Sequence, residues 1–208
     1  DRASDIQQKA MAPQLLALTT SLNGKGMSLM GQGKFVAAEQ VLQQALAIRE
    51  DNLPAGALPI AESENSLAQL YFQTAHFPQA EALYKEAIGT YEKVKGAESA
   101  EAANVRNNLA SLYYSQGKYQ QAEPIFKWSI SVFERTSGKE SIDVANACNN
   151  LAEPLYKRAI AIYDGSSGVS NQQFANVLDN YAELLQTTSR AEEAKAVRSR
   201  ANAKIAQS

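Results

Sequence analysis

The sequence predicts an all-α protein built from about five stacked helical hairpins, and three observations support this prediction. The first is an internal repeat with an offset of 42 residues. The second is the spacing of apolar residues three and four positions apart within each copy, as expected for one face of a helix. The third is a break halfway through each copy, such as Gln116-Gly117-Lys118, which separates a first helix from a second. The best-aligned copies are residues 23–50, 65–92 and 107–134.

The segment before the first copy, residues 1–20, is predicted to form a capping helix for the repeat domain, which spans residues 21–208. Ser4 and Asp5 are suitable residues to begin this helix. Pro13 is expected to start or split it, because proline lacks the backbone N–H that a helix interior needs. The repeats then start near residues 23, 65, 107, 149 and 179.

Small residues recur at the positions where the two helices of a hairpin must touch. Alanine occupies these positions at Ala68 and Ala110 in first helices, and at Ala38, Ala80 and Ala122 in second helices. Small side chains let two helices approach closely. Because one hairpin cannot bury its apolar face alone, the copies are expected to stack. Stretches rich in Gly, Ser, Pro and charge are predicted to connect them: residues 51–59, 94–100, 135–141 and 165–170.

The conserved spacing within the copies forms the pattern L-A-x-L-Y-x-x-x-G-x-Y-x-x-A-E, which resembles the tetratricopeptide repeat (TPR). The third copy has this pattern at Leu109, Ala110, Tyr113, Gly117, Tyr119 and Ala122, and the second has it at Leu67, Ala68, Tyr71, Phe77 and Ala80. The period of 42 residues, longer than the usual TPR period, resembles the kinesin-light-chain type of repeat.

This resemblance implies a right-handed superhelical α-solenoid of stacked TPR helix-turn-helix hairpins. It further implies a scaffold or adaptor, not an enzyme, that binds a partner protein or an extended peptide in its concave groove. An alternative is a self-assembling structural or regulatory TPR module of a larger protein or complex.

The fourth copy lacks twelve residues of the pattern. Copy three reads NNLASLYYSQGKYQQAEPIFKWSISVFE and copy four reads NNLAEPLYKRAIAIYD, so that the gap falls between Ala152 and Glu153. Either the natural protein contains residues that this sequence omits, or the deletion is genuine. A genuine deletion is predicted to fuse two half-helices into one helix near residues 143–163, with Pro154 inside it. Such a helix would lose its hairpin partner and offer apolar side chains for exchange with a second copy of the chain: Leu151, Leu155, Ile160 and Ile162.

Composition and charge exclude several classes of function. A hydrophobic fraction of 45% is typical of a folded globular protein. The net charge of −2 argues against nucleic acid as a partner, and no apolar stretch is long enough to span a membrane. The predicted partners are therefore proteins or peptides, with a homo-oligomer as a further option.

The compartment stays open. The single cysteine, Cys148, suits a reducing cytoplasm as well as a bacterial periplasm or secretion, and it is predicted to be a buried, inert thiol. Because the chain starts at Asp1 rather than at methionine, we expect that an upstream segment such as a signal peptide has been removed or left out.

No motif predicts catalysis, a cofactor or a metal site. The glycines near residues 24–34 lack the spacing of a phosphate loop, and residues 165–168 lack the G-x-S-x-G order of a nucleophile elbow and are predicted to be a loop. His76, the only histidine, falls in a turn without partners for a metal site or a catalytic triad. Trp128 is expected to pack within its repeat. One glutamate per copy is expected to contact the neighbouring repeat or to face solvent: Glu39, Glu81, Glu123 and Glu153.

Asparagines recur on the predicted first helices, often in pairs four residues apart that share a helix face. Asparagine is a mediocre helix former, so its repetition indicates a further role. Each side-chain amide offers both donors and an acceptor to a peptide backbone. Because first helices line the concave groove of TPR proteins, the resemblance implies that these amides bind the partner: Asn65, Gln69, Asn104, Asn107, Asn108, Asn146, Asn149, Asn150, Asn176 and Asn180.

An alternative is that some of these asparagines bond neighbouring helices and hold the repeats together. A clamp for a C-terminal carboxylate is not expected. In TPR domains with such a clamp, Lys and Arg stand at positions that here hold Glu62, Ser66, Asn104 and Asn108.

Overall fold

The computed structural model describes the backbone of residues 2–164 and 170–206, and the side chains from residue 13 onward within those ranges. The described residues form α-helices joined by short connections, which confirms the all-α prediction. The helices are α1 (Arg2–Gly31), α2 (Phe35–Asn52), α3 (Leu58–Gln73), α4 (Phe77–Lys95), α5 (Ala100–Ser115), α6 (Tyr119–Thr136), α7 (Ile142–Asp164), α8 (Asn171–Thr187) and α9 (Ala191–Ile205). They divide into two compact units, Asp1–Lys139 and Glu140–Ser208.

The first unit consists of three hairpins, α1–α2, α3–α4 and α5–α6. Each hairpin turns within three or four residues at a position with positive φ, occupied by Gly33 (φ 73°), Ala75 (φ 60°) and Gly117 (φ 75°). Glycine adopts this backbone conformation freely, whereas alanine pays a steric penalty of about 1 kcal/mol. The predicted helical breaks are confirmed, and so are the predicted connections after α2, α4 and α6, to within one or two residues.

The alanines predicted to lie between the helices of a hairpin are almost completely buried. Ala38, Ala68, Ala80 and Ala110 have no exposed surface, and Ala122 is 1% exposed. In the first hairpin the equivalent residue on α1 is Gly26, where an added Cβ would lie 2.5 Å from Cγ of Leu42. The helices therefore approach as closely as their small side chains allow.

The second unit consists of α7, α8 and α9. Helices α8 and α9 form a hairpin whose turn contains Ser189 with a positive φ of 61°. Helix α7 is the single fused helix that a deletion predicts, with Pro154 inside it. Its C-terminal half contacts the α8–α9 hairpin through Tyr156, Ile160 and Tyr163. The predicted loop at residues 165–168 lies outside the described residues.

Cys148 is exposed, which shows that the prediction of a buried thiol is wrong. The prediction assumed that every first helix is covered by the second helix of its own hairpin. Cys148 lies in the N-terminal half of α7, and that half-helix has no second helix within its own hairpin, because the chain continues straight on.

Helix α1 runs without a break from Arg2 to Gly31, so that residues 1–20 continue directly into the first helix of the first repeat. Pro13 lies inside this helix, and the expectation that it starts or splits a helix is wrong. A proline in a helix interior costs about 3 kcal/mol. The surrounding turns keep their own hydrogen bonds, so that this loss does not end the helix. The capping role of residues 1–20 stays a prediction.

Within the described part of the chain, none of the helices combines the length and the apolar character that crossing a membrane requires.

Candidate partner-binding surface and the contacts between repeats

The asparagines of the first unit lie on α3 and α5, and two of them bond each other. Nδ2 of Asn108 donates to Oδ1 of Asn65 at 3.2 Å, which joins two successive first helices. Asn23 makes the equivalent bond one repeat earlier, where its Nδ2 donates to Oγ of Ser66 at 2.9 Å. Both bonds join residues 43 positions apart. For Asn65 and Asn108 the contacts therefore favour the structural alternative.

The other candidates on α3 and α5 differ in exposure. Asn107 is only 7% exposed, and its Oδ1 is buried without a hydrogen-bond partner among the described residues. Gln69 is half-buried, whereas Asn104 is exposed. Asn104 is therefore the asparagine of this unit that is best placed to reach a ligand without first breaking a bond to a neighbouring helix.

The remaining candidates belong to the second unit. On α7, Asn146 is exposed, while Asn149 and Asn150 are half-buried. On α8, Asn176 and Asn180 are both exposed. The Asn176 amide oxygen accepts a hydrogen bond from Nε2 of Gln172, one turn earlier, at 2.9 Å.

A tyrosine on a first helix bonds a glutamate on the preceding second helix at three junctions. Tyr71 Oη donates to Glu39 at 3.1 Å, Tyr113 Oη to Glu81 at 3.1 Å, and Tyr181 Oη to Glu153 at 3.2 Å. These are three of the four glutamates predicted to recur once per copy, and the contact with the neighbouring repeat is confirmed for them.

A basic residue completes two of these junctions. Nζ of Lys118 lies 3.8 Å from Glu81, and a guanidinium nitrogen of Arg190 lies 2.8 Å from Glu153. The hydrogen bond from Lys85 holds the pKa of the Glu81 carboxyl below its usual value. These carboxylates therefore serve as charged acceptors between repeats and not as an acid–base pair.

Comparison with known proteins decides the family. The family model described as tetratricopeptide repeat matches residues 16–93 and 59–135, which together make up more than half of the chain. The chain belongs to the tetratricopeptide repeat family.

Solved structures support the same fold for this TPR chain. BtubC (BKLC) from P. vanneervenii shares 21% identity over 97% of this chain and 86% of that one, with a TM-score of 0.61. The nearly identical TPR-like repeats of a kinesin-light-chain candidate from Podosopora anserina share 17% identity over 92% of this chain and 97% of that one, with a TM-score of 0.63. The repeat is thus of the kinesin-light-chain-like type. No curated protein matches the sequence.

The TPR fold is in general a scaffold for interactions between proteins, and the family is typically not enzymatic. Its partners are in general other proteins. These statements hold for the family as a whole, because sites are added to a fold and are not specified by it.

Sequence reasoning missed a buried arginine in the first unit. Arg49 on α2 is only 1% exposed, and its burial lowers the pKa of the guanidinium. In the next two repeats the same position holds Tyr91 and Phe133, both buried. An arginine in an otherwise aromatic repeat position was the signal that could have revealed it. Its donors are satisfied by Thr19, Thr20, Pro59, Glu62 and Ser63.

Sequence reasoning also missed a buried glutamate at a position that is basic in the next repeat. Arg106 on α5 forms an ion pair with Glu92, and its guanidinium lies 4.5 Å from the centre of the Trp128 ring. Trp128 is thus held by packing, as expected. One repeat earlier, the position of Arg106 is occupied by Glu64, which is 9% exposed and has an Oε2 without a partner.

Proposed function

We propose that this TPR chain is a scaffold or adaptor that binds an extended segment of a partner protein along its first helices. The observation that supports the proposal best is the exposed amide of Asn104 on α5. It lies on the same helix as Asn108 and one turn before it, so that both share a helix face. An amide can donate to and accept from the same peptide unit of an extended chain.

The chemistry of this face favours a main chain over a charged tail. Asn65 and Gln69 on α3, and Asn104, Asn108 and Ser111 on α5, are polar and uncharged. The arginine of α5, Arg106, already bonds Glu92. A ligand bound here would therefore be recognised mainly through its backbone amides, with no clamp for a carboxylate.

The proposal is tested by removing amides that do not hold the repeats together. We expect the variant Gln69→Ala/Asn104→Ala to lose a partner that the wild-type chain captures from extract. It should also bind the corresponding synthetic peptide about tenfold more weakly in calorimetry, since the loss of one or two hydrogen bonds amounts to about 1.4 kcal/mol. The unfolding midpoint should stay unchanged, because neither side chain is fully buried.

The matched control is Gln79→Ala/Gln121→Ala, which removes two exposed amides from the second helices α4 and α6. We expect this control to capture the partner as the wild type does. Equal binding by both double variants would contradict a site on the first helices.

A further inference from the structure

Two alanines of a complete hairpin correspond to a single alanine in the fused helix. In the third repeat, Ala110 on α5 and Ala122 on α6 are both buried at the positions where small residues separate the helices. A step of 42 residues from Ala110 leads to Ala152, and the alignment across the gap brings Ala122 to the same residue. Ala152 therefore belongs to both halves of the repeat motif.

The register of the complete hairpin is fixed by a buried hydrogen bond. Oγ of Ser129 on α6 donates to the carbonyl oxygen of Ala103 on α5 at 3.2 Å. The two helices are antiparallel, so that seven residues toward the turn from each of these positions lead to Ala110 and Ala122. The bond thus places these two alanines opposite each other.

The faces that meet in this hairpin are uncovered in α7. Val132 on α6 is completely buried, whereas its counterpart Ile162 is 54% exposed. Leu155, which corresponds to Ile125, is 44% exposed. In the N-terminal half of α7, Ala145 is exposed, although the equivalent Ala103 has no exposed surface.

The opposite face of the C-terminal half is already covered. Tyr156, Ile160 and Tyr163 pack against α8 and α9, as the second helix of one repeat packs against the next repeat. What α7 lacks is the contact between the two helices of its own hairpin. Its two halves are collinear and cannot fold onto each other within one chain.

We propose that two copies of this chain pair their α7 helices antiparallel, so that each half of α7 covers the other half of its partner's α7. This arrangement restores two hairpins from two fused helices and is an exchange of identical elements between protomers. Transferring the register of α5 and α6 places Ala152 opposite Ala152 of the second copy, on the two-fold axis. It places Ala145 opposite Ala159.

This occupant is favoured because the same sequence contains both complementary faces in matching register. Each half of α7 retains the residues of its motif, NNLA in the first half and EPLYKRAIAIYD in the second. Helix α7 has 23 residues, which gives a contact about 34 Å long. The inference goes beyond the proposed peptide site, since it involves a different face of a different unit.

The first test measures the mass of the full chain by light scattering at micromolar concentration. We expect a dimer for the wild type and a monomer for Leu155→Glu, because a charge at the centre of the contact cannot be buried unpaired. Val94→Glu, which changes a 51% exposed valine on α4, is the matched control and should stay dimeric. A monomeric wild type, or a dimer that both variants retain, would overturn the proposal.

The second test places thiols on the predicted axis. In a background of Cys148→Ala, the variant Ala152→Cys is expected to form a disulfide-linked dimer under mild oxidation, since Cα atoms of facing residues at a close helix contact lie within the 4.4–6.8 Å that a disulfide spans. Ala161→Cys should not, because two copies of residue 161 would lie about 27 Å apart along the pair. Equal cross-linking of both variants would show random collision and contradict the register.

Discussion

At the scale of single residues, Glu64 is the ionisable group that deviates most from its ordinary behaviour. Burial raises the pKa of its carboxyl to about 7, and the negative charges of Glu86 and Glu50 add to the effect. Tyr91 on α4 also lies within electrostatic reach of it. The native chain therefore binds a proton at Glu64 over a pH range in which the unfolded chain has released it.

Replacing Glu64 by glutamine should change how stability depends on pH. Between pH 4.5 and about 7 the native state binds more protons than the unfolded state, so that the free energy of unfolding falls as pH rises. We expect Glu64→Gln to stabilise the protein at pH 8 by up to about 3 kcal/mol and to have little effect near pH 4.5. Urea unfolding at both pH values measures the difference.

The control for this change is Glu134→Gln, on an exposed glutamate at the end of α6. It should shift the free energy of unfolding equally, and only slightly, at both pH values. A stabilisation by Glu64→Gln that is the same at pH 4.5 and pH 8 would show that the carboxylate is not destabilising when ionised.

Arg49 illustrates how a buried charge is accommodated in the same unit. Its guanidinium bonds side chains of α1 and the start of α3, so that it joins three helices. The equivalent Tyr91 and Phe133 are buried aromatic residues. The first junction is therefore held by polar bonds at a position where the later ones use apolar packing.

At the scale of helices, the junctions between repeats depend on a hydroxyl group in a regular position. Tyr113 on α5 bonds the carboxylate of Glu81 on α4, and burial raises the pKa of the tyrosine. Tyr84 on α4 offers a natural contrast, because its hydroxyl is completely buried without a hydrogen-bond partner among the described residues.

The two tyrosines should respond differently to the same substitution. We expect Tyr113→Phe to lower the free energy of unfolding by about 1.5 kcal/mol, because it removes a hydrogen bond to a charged group. Tyr84→Phe should be neutral or stabilising, since the position holds Phe126 in the next repeat and the lost hydroxyl makes no bond. Thermal or urea unfolding of the two variants measures this, and equal losses would contradict a bond between the repeats.

The helices also show where local rules are overridden. Pro13 and Pro154 lie inside α1 and α7, where proline removes a hydrogen bond, and both helices continue. Proline determines only the local bonding of the backbone. Whether a helix ends there depends on the stability of the turns on either side of it.

At the scale of the whole molecule, the gap between Ala152 and Glu153 decides whether the fourth repeat is a hairpin or a helix. For the chain described here, digestion with trypsin is expected to release the peptide of residues 140–157, in which Ala152 and Glu153 are adjacent. Mass spectrometry of the protein from its natural source measures this peptide. Detection instead of a sequence interrupted by further residues would show that the natural protein forms the complete hairpin.

The sequence by itself determined the repeat, the helices and most of their boundaries. The period of 42 residues and the small residues between the helices depend on backbone geometry and on local packing, which repeat with the sequence. The same periodicity predicted that a glutamate such as Glu81 contacts its neighbouring repeat. It also predicted that α7 would be one helix if the gap were genuine.

Only the tertiary structure decided which polar side chains are bonded and which are available. Asn65 and Asn108 look the same as Asn104 in the sequence, yet the first two bond each other across two helices while the third is exposed. Cys148 follows the motif of a buried position and is nevertheless exposed. Burial and hydrogen bonding depend on what a neighbouring helix places opposite each residue, and that neighbour is set by packing between distant parts of the chain.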